Sequence, residues 1–100
     1  MRVVEKINKV LERLMNKNKD LYIVGEDILD PYGGAFKVTK GLSTKFKDRV
    51  LTTPISEASI IGFSAGLALS QKKVIAEIMF GDFLTLTLDQ IVNHISKFQV

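Results

Sequence analysis

The stretch RVLTTPISEASIIGFSAGLALSQKKVIAEIM, running from Arg49 to Met79, decides the fold. Arg49-Val50-Leu51-Thr52 is rich in β-branched residues and stops short of Pro54, which cannot donate to a ladder, so it reads as a strand. Ser56 to Ser70 is small or apolar nearly all the way round, with Glu57 as its only charge, and this predicts a buried helix. Lys72 and Lys73 return the chain to the surface, and Val74 to Met79 predicts a further strand with Glu77 inside it. Strand, helix and strand joined by short connections imply a right-handed crossover between parallel strands.

The same alternation extends in both directions. Val4, Ile7, Leu11 and Leu14 recur at helical spacing, with Val3 and Val10 widening the stripe and Glu5 placed four residues before Lys9. Asn16 to Asp20 breaks this pattern, and Leu21-Tyr22-Ile23-Val24 forms a short apolar run ended by Gly25, a buried strand. Asp30-Pro31-Tyr32-Gly33-Gly34 cannot continue either element and reads as a functional or flexible loop. Val38, Leu42 and Phe46 support a second helix, weakened by Gly41. After the turn at Gly81-Asp82, with Asp82 as a candidate N-cap, Leu84, Leu88, Ile91 and Ile95 define a last helix. The fold class is therefore α/β, an open parallel sheet with helices on both faces. Three strands make a thin sheet whose edges need cover, so the reading expects a truncated domain, continued past Val100 or completed by a partner subunit.

Composition narrows the function. One hundred residues allow one domain, and 46% hydrophobic with 25% charged residues is the balance of a folded globular chain. The absence of cysteine excludes a disulfide framework, a thiolate metal site and a cysteine nucleophile, and points to an intracellular address. The longest apolar stretch, Ile60 to Leu69, is far below the ~20 residues that span a bilayer, so no membrane role is expected. Charge balance is +3, with Lys37, Lys40, Lys45, Lys47 and Arg49 as the nearest approach to a cluster; these read as a solvated face, and no nucleic-acid partner is expected.

In open parallel sheets ligands bind at the carboxyl ends of the strands, which here carry Gly25-Glu26-Asp27, Thr53 to Glu57, and Phe80 to Phe83. Glu26, Asp27 and Asp30 resemble the acidic pocket of a receiver domain, but Thr52 and Thr53 stand where that reading wants an aspartate, and solvated loop carboxylates explain them better. Neither a glycine-rich dinucleotide turn nor a Walker lysine follows the first strand. Glu57 is the outstanding residue: it opens an apolar helix, where burial opposes its ionisation and the helix N-terminus favours it. An exposed first-turn acid is the competing reading. Glu77 is expected to have a hydrogen-bonding partner in the sheet, and His94, beside the stripe of the last helix, reads as a partly exposed helix residue rather than a base. Ala58, Gly62 and Gly66 fall four apart, small enough to let another helix approach.

Taken with Glu57, those glycines form part of a larger set. Gly25-Glu26-Asp27, Tyr32-Gly33-Gly34-Ala35-Phe36-Lys37-Val38-Thr39-Lys40-Gly41-Leu42, Thr53-Pro54-Ile55-Ser56-Glu57-Ala58, Glu77-Ile78-Met79-Phe80-Gly81-Asp82-Phe83 and Asp89-Gln90-Ile91-Val92-Asn93 resemble, in order, the blocks of the pyrimidine-binding domain of thiamine-diphosphate enzymes. The resemblance is strongest to the E1 β subunits of 2-oxo acid dehydrogenases, and makes residues 1–100 the N-terminal part of such a domain. It implies that Glu57 is catalytic, hydrogen-bonding N1′ of the cofactor's aminopyrimidine, that Phe83 packs on that ring, that Ile55 and Met79 line its pocket, and that Ala58, Gly62 and Gly66 belong to an interface helix. Met79 departs from the glutamine found in many relatives. A family histidine near the active site falls beyond Val100, and His94 does not replace it.

By the same resemblance, the cofactor is thiamine diphosphate, its diphosphate and magnesium held by a partner E1 α-type subunit or domain, so no metal ligand is expected here. A second β-type subunit and an acyltransferase (E2) core are the other implied partners, and the cytoplasm, or the mitochondrial matrix in a eukaryote, is the implied location. The activity implied is oxidative decarboxylation of a 2-oxo acid, pyruvate being the commonest substrate, with the cofactor as electron sink. On its own the 100-residue chain is expected to be inactive and to associate through its small-residue stripe. Another transketolase-like synthase, or a non-catalytic α/β interaction domain with an exposed Glu57, are the alternatives.

Overall fold

The computed structural model describes residues 1–98. Its elements are α1 (Val3–Lys17), β1 (Leu21–Glu26), α2 (Leu42–Lys45), β2 (Val50–Thr53), α3 (Glu57–Leu69) and β3 (Lys73–Ala76), followed by a 3₁₀ segment (Gly81–Thr87), α4 (Leu88–Gln90), a π segment (Ile91–Ile95) and α5 (Ser96–Phe98). The strands form one sheet in the order β2-β1-β3, and both pairings are parallel, as the alternation predicts. Among the described residues no helix is long and apolar enough to cross a membrane.

β1 is the central strand and separates two layers. Leu21 and Ile23 join Leu11 and Met15 of α1, Ile28, Leu42 and Val50 in a buried cluster on one face. The alternate residues Tyr22, Val24 and Glu26 point the other way, toward the layer that α3 covers. The α1 layer is closed chemically as well as sterically. Arg49 donates to the carbonyls of Met15 in the last turn of α1 (3.0 Å), of its C-cap Asn18 (2.8 Å) and of Leu21 at the start of β1 (3.2 Å), tying the end of the helix to the sheet.

The segment from Asp27 to Gly41 is a tied loop. Asn8 Nδ2 donates to the carbonyls of Val38 (2.7 Å) and Lys40 (3.0 Å), and the buried Thr39 hydroxyl donates to Ile28 O at 2.9 Å. Asp30 accepts from Gly41 N–H (2.7 Å) and from Thr44 N–H and O–H (3.1 and 2.7 Å), and the Thr44 hydroxyl leads the contacts that hold its carboxyl below the usual range. Gly33 sits at φ +72°, where a Cβ would lie 2.7 Å from Lys40 Cα, so no other residue fits that turn.

Several sequence expectations need correction. The second helix shrinks to Leu42–Lys45, because Val38 and Thr39 are held in the loop by Asn8 and Ile28. The third strand ends at Ala76, leaving Glu77 and Met79 outside the ladder. α3 is not buried all round: Glu57, Ile60, Ser64 and Ala65 are buried, while Phe63 and Leu69 are 50% and 59% exposed. Nor is the last helix continuous, and Asp82 lies within the 3₁₀ segment, whose N-cap is Phe80. The Thr85 and Thr87 hydroxyls donate to Asp82 O and Leu84 O three residues back, which favours the tighter 3₁₀ winding.

Candidate functional site

Three parallel strands deliver three carboxylates to one end of the sheet. Glu26 is the last residue of β1, in register with Thr53 of β2. Glu57 is the first residue of α3, whose N-cap Ser56 accepts from Ser59 N–H. Glu77 follows β3, and its N–H donates to Val24 O at 2.8 Å. Gly25 makes the convergence tight: a Cβ there would lie 3.1 Å from Glu77 Cβ and from Ile28 Cγ2.

These carboxylates differ in their surroundings. Glu26 is 5% exposed and Glu57 8% exposed, so both are withdrawn from water at the mouth of the sheet. Glu26 Oε1 is buried and has no hydrogen-bond partner. The Glu57 carboxyl, in hydrogen-bonding contact, pushes Glu26 up to about 7, reinforced by burial and by the charges of Glu57, Asp27 and Glu77. A carboxyl–carboxyl hydrogen bond requires one partner to carry a proton. Glu77 is half-buried and its carboxyl is raised by desolvation; the partner expected in the sheet is its backbone N–H's, Val24 O, not its side chain's. Its oxygens face Gly34, where a Cβ would stand 3.6 Å and 3.8 Å away.

Beside the acids stands an aromatic wall. Phe80 packs edge-on against both Phe83 and Phe36, with centroids 5.3 Å apart in each pair. Phe83 is part of this group, Met79 is partly buried, and Ile55 is 82% exposed on the connection between β2 and α3. Gly62 is committed within the chain, since a Cβ there would meet Gln90 Oε1 at 3.1 Å, whereas Gly66 faces open space and Ala58 is exposed. His94 is exposed and packs beside Phe98 at 6.0 Å, away from the acids.

An apolar groove of about 510 Å³ lies between α3, β3 and the C-terminal helical segments, lined by residues such as Ala68, Leu69, Val74 and Ile95. Its lining contains no titratable group. Among the described residues no group of three or more His, Cys, Asp or Glu is arranged to hold a metal ion. Asp30, one of the three acids of the receiver-like reading, is instead occupied in fixing the loop to α2.

Sequence reasoning placed Glu26, Glu57, Phe80 and Phe83 at this end of the sheet, but it read Glu26 as a solvated loop carboxylate and gave Phe36 and Phe80 no separate role. Extending the alternation of Leu21 and Ile23 through Gly25 puts Glu26 on the α3 side, and that was the available signal. The buried acids lie at the carboxyl ends of parallel strands, the place where open sheets of this kind bind ligands.

Comparison with known proteins agrees with this class. The chain belongs to the transketolase pyrimidine-binding domain family, whose model matches residues 1–100. It is 41% identical over 99% of its length to the mitochondrial 2-oxoisovalerate dehydrogenase subunit beta 2 of Arabidopsis thaliana, of which it covers 27%. Identity is 39% over 99% of the chain to the pyruvate dehydrogenase E1 component subunit beta of Cyanidium caldarium, of which it covers 30%. It is 38% over 93% to the acetoin:2,6-dichlorophenolindophenol oxidoreductase subunit beta of Cupriavidus necator, again covering 30% of the relative. The chain thus spans less than a third of each of these proteins.

Proposed function

We propose that this chain supplies the pyrimidine half of a thiamine-diphosphate site in an E1 β-type subunit of a 2-oxo acid dehydrogenase. The observation that carries the reading is the burial of Glu57, 8% exposed at the first turn of α3, in a position where a merely solvated first-turn acid would be open to water. A non-catalytic interaction domain has no use for a carboxyl in that position, since burying it costs free energy that a surface charge avoids.

The residues present suit the cofactor's ring. Glu57 would hydrogen-bond N1′ of the aminopyrimidine, and Phe83, braced by Phe80 and Phe36, would pack on the ring with Met79 beside it. Ile55, on the exposed connection before α3, would line the outer edge of the pocket. When bound, the cofactor supplies the electron sink for decarboxylation. Glu57 holds a proton at N1′ in a water-poor setting, where a charge-assisted hydrogen bond is strong. The diphosphate and its magnesium ion would be held by an E1 α-type subunit, and the open stripe at Ala58 and Gly66 suits a second β-type subunit. An acyltransferase (E2) core is the expected acceptor of the product in the assembled complex.

Relatives named for 2-oxoisovalerate, pyruvate and acetoin lie within 38–41% identity, and pyruvate is the substrate we assign. The test is single-turnover decarboxylation by protein carrying these residues, assembled with an α-type subunit and the cofactor. Preferential release of carbon dioxide from pyruvate supports the assignment; preference for 3-methyl-2-oxobutanoate or cleavage of acetoin reassigns the substrate, and inertness toward all three defeats the reading.

A further inference from the structure

We infer that the outward face of α1 is a docking surface for an acidic amphipathic helix of a partner protein, independent of the cofactor reading above. α1 carries more apolar spacing than the core uses. Leu11 and Met15 enter the buried cluster, whereas Val3, Ile7 and Val10 stay 71%, 43% and 44% exposed. These three recur at steps of four and three, and the partly buried Leu14 extends them by a further four. Such spacing makes a helix-to-helix seam, narrower than the stripe by which a helix sits on a sheet.

Beside the seam runs a line of cations. Arg2, Lys6, Lys9 and Arg13 each precede a seam residue by one position, which sets them about 100° away round the helix, and Lys17 continues the line; all five are exposed. The acids of α1 lie off this line and are engaged, Glu5 with Arg2 at 3.3 Å and Glu12 with Lys45. Among the described residues Lys6, Lys9, Arg13 and Lys17 have no carboxylate partner. A cleft of about 410 Å³ between the start of α1 and the tied loop brings Lys37 and Lys40 beside Lys9, and its one acid is the paired Glu5. The positive surface therefore extends past the helix itself.

A charged line beside an apolar seam selects its occupant. Lys6 and Arg13 flank the seam where packed helices exchange salt bridges, so carboxylates belong opposite them. Nucleic acid would match the cations, but its phosphates offer Val3, Ile7 and Val10 no apolar surface. Helices that lie in a bilayer interface present Trp, Phe or Leu, whereas the open residues here are β-branched. A second copy of α1 supplies cations on the same line, not the carboxylates these positions need.

The test uses the full subunit carrying these residues and a fluorescent synthetic helix with isoleucine and leucine on its seam and glutamate at the flanking positions, compared with its twin bearing lysine there. The glutamate helix should bind saturably and the lysine helix at least about tenfold more weakly, and the difference should shrink as sodium chloride rises from about 50 to 500 mM. Lys6→Glu combined with Arg13→Glu should exchange the preference, an outcome that misfolding cannot produce. Ile7→Ser combined with Val10→Ser should weaken the glutamate helix about tenfold, with the melting temperature little changed. In the subunit alone a maleimide should label Val10→Cys, the site being located by peptide mass spectrometry. Protection there would overturn the proposal, because the subunit's own chain would then cover the seam. Equal binding of the two helices, a preference that survives the charge reversal, or tighter binding to phosphatidylserine vesicles or duplex DNA than to the glutamate helix would overturn it as well.

Discussion

α1 and α3 pack on opposite faces of the same central strand, yet they are different kinds of helix. α1 buries Leu11 and Met15 on one stripe, turns its charges outward, and has its C-terminal end tied to the sheet by Arg49. α3 has no polar face to turn outward. It buries Ile60, Ser64 and Ala65 against the sheet and leaves Phe63, Leu69 and the open side of Gly66 uncovered. The difference teaches that α1 intersperses its open apolar residues, Val3, Ile7 and Val10, with charges, while α3 carries the buried Glu57 at one end and an uncharged apolar surface along its length.

The sharpest way to break this comparison is to alter each helix where its role is concentrated. Glu57→Gln should lower single-turnover decarboxylation by the assembled enzyme about 10²- to 10⁴-fold, the usual worth of a positioned acid–base group, without unfolding the chain. Met15→Ala, at a site with 0% exposure in the α1 core, should cost about 2–5 kcal/mol in denaturant unfolding, since it removes buried methylenes and leaves a cavity. Activity lost with Met15→Ala but retained with Glu57→Gln would reverse the division of labour.

A subtler contrast lies in pH. Glu26 has a folded-state value of about 7 against the ordinary 4.5, so the folded state binds its proton more tightly. The stability this contributes is fully present below 4.5 and is lost as pH rises through 7. Glu26→Gln should therefore unfold at higher temperature than the native chain at pH 8, by up to about 3 kcal/mol, and show little of that advantage at pH 4. Thermal melts across this range check it. The smallest effect is expected on the outer face of α3. Leu69→Ser, at a side chain 59% exposed, should change stability by less than about 0.5 kcal/mol while reducing self-association in sedimentation experiments.

How much of this was legible beforehand follows from how local each signal is. α1, β1 and α3 were readable because hydrophobic spacing, a bounded apolar run and a small, apolar stretch with a single charge are decided by neighbouring residues. The C-terminal helix was not. Leu84, Leu88, Ile91 and Ile95 have the right spacing, but Leu84, Leu88 and Ile95 are 42–50% exposed and Ile91 is only partly buried, so packing selects one continuous α-helix weakly over the 3₁₀ and π segments observed. The second helix failed for a different reason, because long-range hydrogen bonds from Asn8 hold Val38 and Lys40 in the loop. At the site, Glu57 was visible as a lone charge on an apolar helix. Glu26, read as a loop carboxylate, needed the register of β1 and the closeness of α3 before its burial could be seen.

The most direct test of the central claim is calorimetric titration of thiamine diphosphate with magnesium into protein carrying these residues and paired with an α-type subunit, comparing the native sequence with Glu57→Ala. The account predicts saturable binding to the native protein and a loss of at least about tenfold in affinity for Glu57→Ala, with the melting profile of the two proteins alike. Equal binding by both would contradict it, because the buried glutamate at the head of α3 would then have no part in holding the ring.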